Sequence, residues 1–201
     1  MMGAAVALTV VFCVLGWALG AHFAPGELTL ITRLVRIRNG ALTALAKSLT
    51  TVGSLLVLGP LVVVTALWCV VRRRSTAVFV VVGAAVGVVA IGNVVKLVVH
   101  RPRPMTLQLV EVSTASFPSL HAAQAAAILP AVAIVLTAPG RARALAVAVA
   151  GVLVVGSGLS RVYLGVHYPS DVAAGWVLGL VWLGCMLHTR GTSGERAHPP
   201  V

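Results

Sequence analysis

The sequence predicts an all-α, polytopic membrane helical bundle, and three observations carry that expectation. Hydrophobic residues make up 59% of the 201-residue chain and charged residues only 9%, with a mean hydropathy of +1.04. A soluble domain carries about 25% charged residues, so too few polar side chains remain here to clothe a core in water. The apolar residues also fall in runs of about 20, the length that crosses a bilayer as a helix. Finally, the basic residues behind the formal net charge of +11 sit in short clusters between those runs. A nucleic-acid surface would gather them on one face, so this pattern instead marks loops at membrane ends. Cys13, Cys69 and Cys185 lie inside apolar runs without paired spacing, which argues for packing rather than a disulfide framework or zinc site.

Taken in order, the first span is expected from Ala4 to Ala21. A signal peptide is the alternative, because Ala18-Leu-Gly-Ala21 offers small residues for cleavage, but no Lys or Arg precedes the run. Residues 23–51 differ in kind. Arg33, Arg36, Arg38 and Lys47 alternate with Leu30, Ile31, Leu34, Val35, Leu42, Leu45 and Leu49 at spacings of three and four. That reads as an amphipathic segment at the interface and a candidate lateral gate for lipid, or as a connector with snorkelling arginines. Val52–Val71 is the second span, with Pro60 expected to kink it. Ala77–Val99 forms the third, Ser119 to about Thr137 the fourth, Ala144 to Tyr163 the fifth, and Ser170 to about Leu187 the sixth. The whole reads as one membrane-embedded unit over residues 1–189 with its functional motifs between about 90 and 175. Residues 190–201 read as a polar, disordered, cytoplasmic tail.

Alternating spans put the Arg72-Arg73-Arg74 loop, the Arg141/Arg143 loop and the Arg190/Arg196 tail on one side, which the positive-inside rule makes cytoplasmic. The same parity gathers a set of polar residues on the opposite face. Lys96 and Arg103 follow the third span, and Ser119 and His121 begin the fourth. Ser160-Arg161 ends the fifth, and His167 and Asp171 begin the sixth. Asp171 is the sole aspartate of the chain. Ionisable groups at membrane depth are expensive, so their convergence marks a site on the extracytoplasmic face.

Residue types indicate its chemistry. Lys96, Arg103 and Arg161 form a cationic cluster without matching carboxylates, which suits an oxyanion with several negative oxygens. Pro118 sets the start of the fourth helix, so Ser119 and the following amides stand at a helix N-terminus, where anions bind. Asp171 can bond one ring nitrogen of His167, fixing its tautomer and leaving the other free to attack. His121 can protonate a leaving oxygen as general acid. Each assignment has a plainer counterpart. His22, His100, His188 and His198 read as interfacial residues, Arg101 as a partner of lipid headgroups, and Tyr163 and Tyr168 as part of an aromatic belt. For His167 with Asp171 the counterpart is a helix-start hydrogen bond. No metal is expected, since one carboxylate among several cations would not hold one.

The spacing of these residues resembles a known signature. Lys96, six residues, Arg103-Pro104; Pro118-Ser119-Leu120-His121; and Ser160-Arg161, five residues, His167, three residues, Asp171 are similar to the three motifs of the phosphatidic acid phosphatase type 2 superfamily. The resemblance extends over about residues 50–187. That superfamily also contains soluble acid phosphatases and vanadium haloperoxidases, but its membrane lipid phosphatases match this hydropathy. The resemblance implies cofactor-free, metal-independent phosphate ester or diphosphate hydrolysis. His167 would form a phosphohistidine with Asp171 orienting it, and His121 would protonate the leaving group. Lys96, Arg103, Ser119, the Leu120 backbone and Arg161 would hold the phosphate oxygens. Leu120 stands where the family usually has glycine, and the expectation is a retained anion site with a narrower mouth.

The expected function is therefore hydrolysis of a lipid phosphate or diphosphate, with undecaprenyl diphosphate, phosphatidylglycerophosphate and phosphatidate as candidate substrates. Membrane lipids are the expected partners, and nucleic acid is not. Leu120 also resembles relatives that transfer a phospho-group to an alcohol, so a transferase is the second reading. A non-catalytic anion or lipid transporter is the third, and spans two to six carry almost no polar residues to serve it.

Overall fold

The computed structural model describes residues 1–21, 25–104 and 108–195, and among them all regular structure is helical. Helix α1 (Met2–Ala21) is apolar all round. Helix α2 (Pro25–Arg36) starts with a proline at its first position, where the missing N–H costs nothing. Helix α3 (Gly40–Val52) is capped by Asn39, whose side chain accepts a 2.9 Å bond from the Leu42 amide. Then come α4 (Leu55–Val71), α5 (Ser75–Val99), α6 (Leu120–Leu136), α7 (Arg141–Tyr163) and α8 (Pro169–Glu195).

By length and composition, Gly40–Val71, Ser75–Val99, Arg141–Tyr163 and Pro169–His188 can each cross a membrane, and Met2–Ala18 and Leu120–Leu136 are shorter apolar helices. The segment expected at the interface over residues 23–51 divides in two. Only α2 is strongly two-faced, with Ile31 fully buried and Arg33 and Arg36 exposed. Beyond Asn39 the only charge is Lys47, and α3 runs into α4 across Gly53-Ser54 as one long apolar stretch. α4 stays helical through Pro60 and α6 through Pro130. α8 continues to Glu195, past Arg190, because no proline intervenes before Pro199. The remainder of the expected tail, with Arg196 and His198, lies outside the described residues, as does His22.

Helix α6 is the centre, packed by α5, α7 and α8. It can be central because it is built from small residues, and Ala122, Ala123, Ala125, Ala126 and Ala127 are all fully buried. Small side chains let helix backbones approach closely, and within a bilayer close packing replaces the hydrophobic drive for association. α8 answers with glycine. A Cβ at Gly175 would stand 2.5 Å from the Ser119 carbonyl oxygen, and one at Gly179 would stand 2.8 Å from Ala126 Cβ. α5 turns its buried stripe of Ala77, Val80, Val81, Ala84, Val88, Ile91 and Val95 to the same core. That three-and-four spacing is the signature of one helix face. At its end His100 adopts a left-handed conformation (φ 49°) and turns the chain back across the bundle.

Exposed apolar residues cover the outside, among them Leu56, Val64 and Val71 on α4 and Val152 on α7. This is the surface lipid requires and water would not tolerate at such extent. At the far end, Arg72 and Arg74 flank the Trp68 ring at 5.7 and 5.2 Å, a cation–aromatic cluster suited to an interface.

The α6–α8 seam gives a direct test. Gly179→Val places a branched side chain against the Ala123 carbonyl and should cost about 1–3 kcal/mol or more through overpacking. Gly184→Val, where nothing lies within 4 Å, should cost far less. Thermal unfolding in detergent, read by loss of monodispersity, compares the two.

Candidate active site

The ends of α5, α6, α7 and α8 that carry the polar residues meet in one place. A cavity of about 170 Å³ is lined by Lys96, Arg103, Leu120, His121, Arg161 and His167, together with Leu55, Val112, Thr114 and Gln124. Lys96 comes from the last turn of α5, Arg161 from the last turn of α7, and His121 from the first turn of α6. His167 lies in the short connection from α7 to α8. The parity expected from sequence is thus realised as a shared space, and its cations face one another.

Each cation is held from behind. Lys96 Nζ donates to the Ala115 carbonyl. Arg103 Nε donates to Thr114 O at 2.7 Å, and its Nη2 reaches Thr114 Oγ1 and Ala115 O, both at 3.2 Å. Arg103 Nη1 donates to Val166 O. Arg161 Nη1 donates to Thr50 Oγ1 at 2.8 Å, which brings α3 to the site. These acceptors are neutral carbonyl and hydroxyl oxygens. Among the described residues none of the three is hydrogen-bonded to a carboxylate, and a cationic cluster of this kind around one cavity suits an anion.

His167 is buried and fixed at both ring nitrogens. Nδ1 lies 3.4 Å from Asp171 Oδ2, and Nε2 lies 3.1 Å from Arg103 Nη1. An arginine can only donate, so Nε2 must be the accepting nitrogen and Nδ1 carries the proton toward the carboxylate. Burial pushes the imidazole down to about 3, against the opposing pull of Asp171. It is therefore neutral near pH 7, with a lone pair on Nε2. Burial also lowers the Arg103 guanidinium, with Asp171 acting in the opposite sense.

Ser119 and Leu120 occupy places the motif spacing did not reveal. Ser119 is fully buried, and its own amide is taken by the Asp171 carbonyl at 3.0 Å. Its hydroxyl is buried without a hydrogen-bond partner. Leu120 lines the cavity and lays its Cδ2 where a Cβ on Gly92 would otherwise stand.

Two assignments from sequence are corrected. Arg101 does not meet lipid headgroups, because its side chain is 0% exposed and bonds Asp171 Oδ1 at 2.5 Å and Glu27 Oε2 at 3.3 Å. Tyr168 does not stand in an aromatic belt; it is 4% exposed, with Arg101 stacked 4.4 Å over its ring. Tyr163 is only half-buried, with its hydroxyl 3.1 Å from Thr43 Oγ1. Sequence reading also passed over Glu27, Thr50 and Thr114. The one available signal was the scarcity of acids, since Glu27 is one of only four Asp and Glu residues in the chain.

Comparison with known proteins bears on this arrangement. The family model of the PAP2 superfamily matches residues 74–195. The chain belongs to the PAP2 superfamily. Phosphatidylglycerophosphatase B of Bacillus subtilis is 39% identical over 95 residues, which span 45% of this chain and 47% of that relative, about half its length. Decaprenylphosphoryl-5-phosphoribose phosphatase of Mycobacterium tuberculosis is 40% identical over 133 residues, 63% of this chain and 67% of that protein. Among solved structures, the transmembrane PAP2-type phosphatidylglycerolphosphate phosphatase from Bacillus subtilis aligns with a TM-score of 0.82 at 28% identity. The alignment covers 94% of this chain and 96% of that one. Aquifex aeolicus LpxE shares the fold, with a TM-score of 0.66 at 24% identity over 81% of this chain and 94% of its own. The chain is thus a membrane protein of PAP2 fold, and the resemblance read from its motifs holds at family level.

Arg101 supplies the test of this geometry. Arg101→Met would leave Asp171 buried without its cation, and removing one partner of a buried pair costs about 3–5 kcal/mol. Purified Arg101→Met protein should unfold at clearly lower temperature than wild type, whereas exposed Arg33→Met should not.

Proposed function

We propose that this protein is an integral membrane phosphatase that hydrolyses a lipid phosphate through a phosphohistidine on His167. The observation that carries the reading is the neutral His167 ring, with Nδ1–H toward Asp171 and Nε2 beside Arg103 at the wall of a cationic cavity. An arriving phosphate takes over the Arg103 bond, which frees the Nε2 lone pair as it brings phosphorus within reach. Lys96, Arg103 and Arg161 meet the equatorial oxygens, where charge resides in a phosphoryl-transfer transition state. The orphaned Ser119 hydroxyl is a further donor for them once the oxygens are in place.

His167 attacks phosphorus, and His121 protonates the departing oxygen. Positive charge develops on the His167 ring as the bond forms, and Asp171 stabilises it. Water then attacks the phosphohistidine, with His121 in its basic form accepting a proton, and inorganic phosphate leaves. Fixed cations perform the charge stabilisation that a metal would otherwise supply, so the cycle needs no cofactor. Relatives named for phosphatidylglycerophosphate and for a decaprenyl-linked phosphosugar support a lipid substrate, and phosphatidylglycerophosphate, phosphatidate and undecaprenyl diphosphate are the first to try. The bundle parity and the basic loops at the opposite end support a site on the extracytoplasmic face of the cell membrane.

Phosphate release from that lipid panel in EDTA, with His167→Ala alongside, tests the proposal. Wild type should turn over one or more lipids undiminished by EDTA. His167→Ala should lose on the order of 10⁴-fold in kcat or more, and His121→Ala about 10²–10⁴-fold. Activity abolished by EDTA, or retained in His167→Ala, contradicts the mechanism. Product formed only when an acceptor alcohol is added would show a transferase instead. Because burial holds His167 well below the ordinary histidine range, kcat/KM should show no acid limb from this ring near pH 6.5. A pH–rate profile down to pH 5 measures it, and a limb near pH 6.5 traced to His167 would refute the neutral-ring reading.

A further inference from the structure

Glu27 stands in the first turn of the amphipathic helix α2, far in sequence from every motif of the site. Its two carboxylate oxygens have separate duties. Oε1 accepts the Ser170 amide at 2.7 Å, at the start of α8. Oε2 lies 3.3 Å from Arg101 Nη2, and Arg101 Nη1 bonds Asp171 Oδ1 at 2.5 Å and Ser170 Oγ at 2.8 Å. The Asp171 carboxylate then faces His167 with its other oxygen, which also accepts the Tyr168 amide at 2.9 Å. A continuous chain of contacts therefore runs from α2 to the ring that carries the lone pair.

The electrostatics of this chain matter more than its continuity. A lone Arg101 against a lone Asp171 would be a neutral pair, and its field at His167 would be weak. With Glu27 present, two carboxylates share one guanidinium, and the buried group retains a formal negative charge beside the ring. That charge has little value while His167 is neutral. It gains value as positive charge develops on the imidazole during attack, which is the differential stabilisation that raises kcat.

We infer that Glu27 is a positioning residue for the reaction, acting through Arg101 to hold Asp171 in its orientation toward His167 and to leave the buried group net negative beside the ring. Through it the amphipathic helix α2 becomes part of the nucleophile's support. The inference rests on His167 as nucleophile, and it adds a residue outside the three motifs together with its mode of action.

Glu27→Gln separates this role from a structural one. Glutamine keeps a carbonyl oxygen for the Ser170 amide, so the cap of α8 survives, but it presents an uncharged group to Arg101. With the lipid phosphate that wild type hydrolyses fastest, kcat should fall about 10–100-fold, as for other groups that orient a catalytic side chain, with KM and the unfolding midpoint little changed. In an Asp171→Asn background the same substitution should have no further effect, because its route passes through Asp171. Wild-type turnover in Glu27→Gln overturns the inference, and so does a double variant whose loss is the product of the single losses. If Glu27→Gln does not survive purification, Arg101→Lys, which keeps the charge but spans only one carboxylate, takes its place in the same cycle with the same expected pattern. His167→Ala distinguishes the two levels. An inactive His167→Ala beside an unaffected Glu27→Gln removes only the role of Glu27, whereas an active His167→Ala removes the nucleophile and the inference together.

Discussion

The buried carboxylate of Asp171 is the constraint on which the rest of the site depends. A charge taken out of water into a membrane bundle is sustained only when each of its oxygens is answered. Oδ1 is met by Arg101, and Oδ2 by the Tyr168 amide and His167. Satisfying it draws together the segment after α5, the α7–α8 connection and the first turn of α2. The main-chain carbonyl of the same residue also takes the Ser119 amide, which joins the start of α6 to the start of α8. One residue thus ties the positions of both histidines together, because His121 stands two residues after Ser119, in the first turn of α6.

Much of this was legible beforehand, for identifiable reasons. The apolar runs near α1 and α4 to α8 were visible because lipid imposes length and hydropathy together, and helix ends fell close to Arg72, His100 and Tyr163 where charge or glycine interrupts. The convergence of Lys96, Arg103, His121, Arg161 and His167 followed from parity alone, since alternate span ends must share a face. What stayed hidden were partners with no periodicity of their own. Nothing in the spacing of Glu27, Thr50 or Arg101 announces a contact, because each pairing spans dozens of residues and depends on how helices tilt. Arg101 was misread for a related reason: an arginine beside a span end ordinarily snorkels, and only the buried acid opposite it changes that outcome.

The division of α2 from α3 has a similar cause. Spacings of three and four run through both, but Arg33 and Arg36 give α2 a polar face that the single Lys47 cannot give α3. The local pattern was right and its extent was set by charge density.

The α6–α8 seam has a consequence for how such a bundle can diversify. Where alanine meets glycine, the separation of two helices is set by their peptide backbones, with no long side chain available to flex or repack. His121 sits on that seam, and His167 lies just before α8 at the same end. Their spacing behaves as a rigid gauge set by backbone contact, and α2 and α3 reach the site from outside it through single side chains, Glu27 and Thr50.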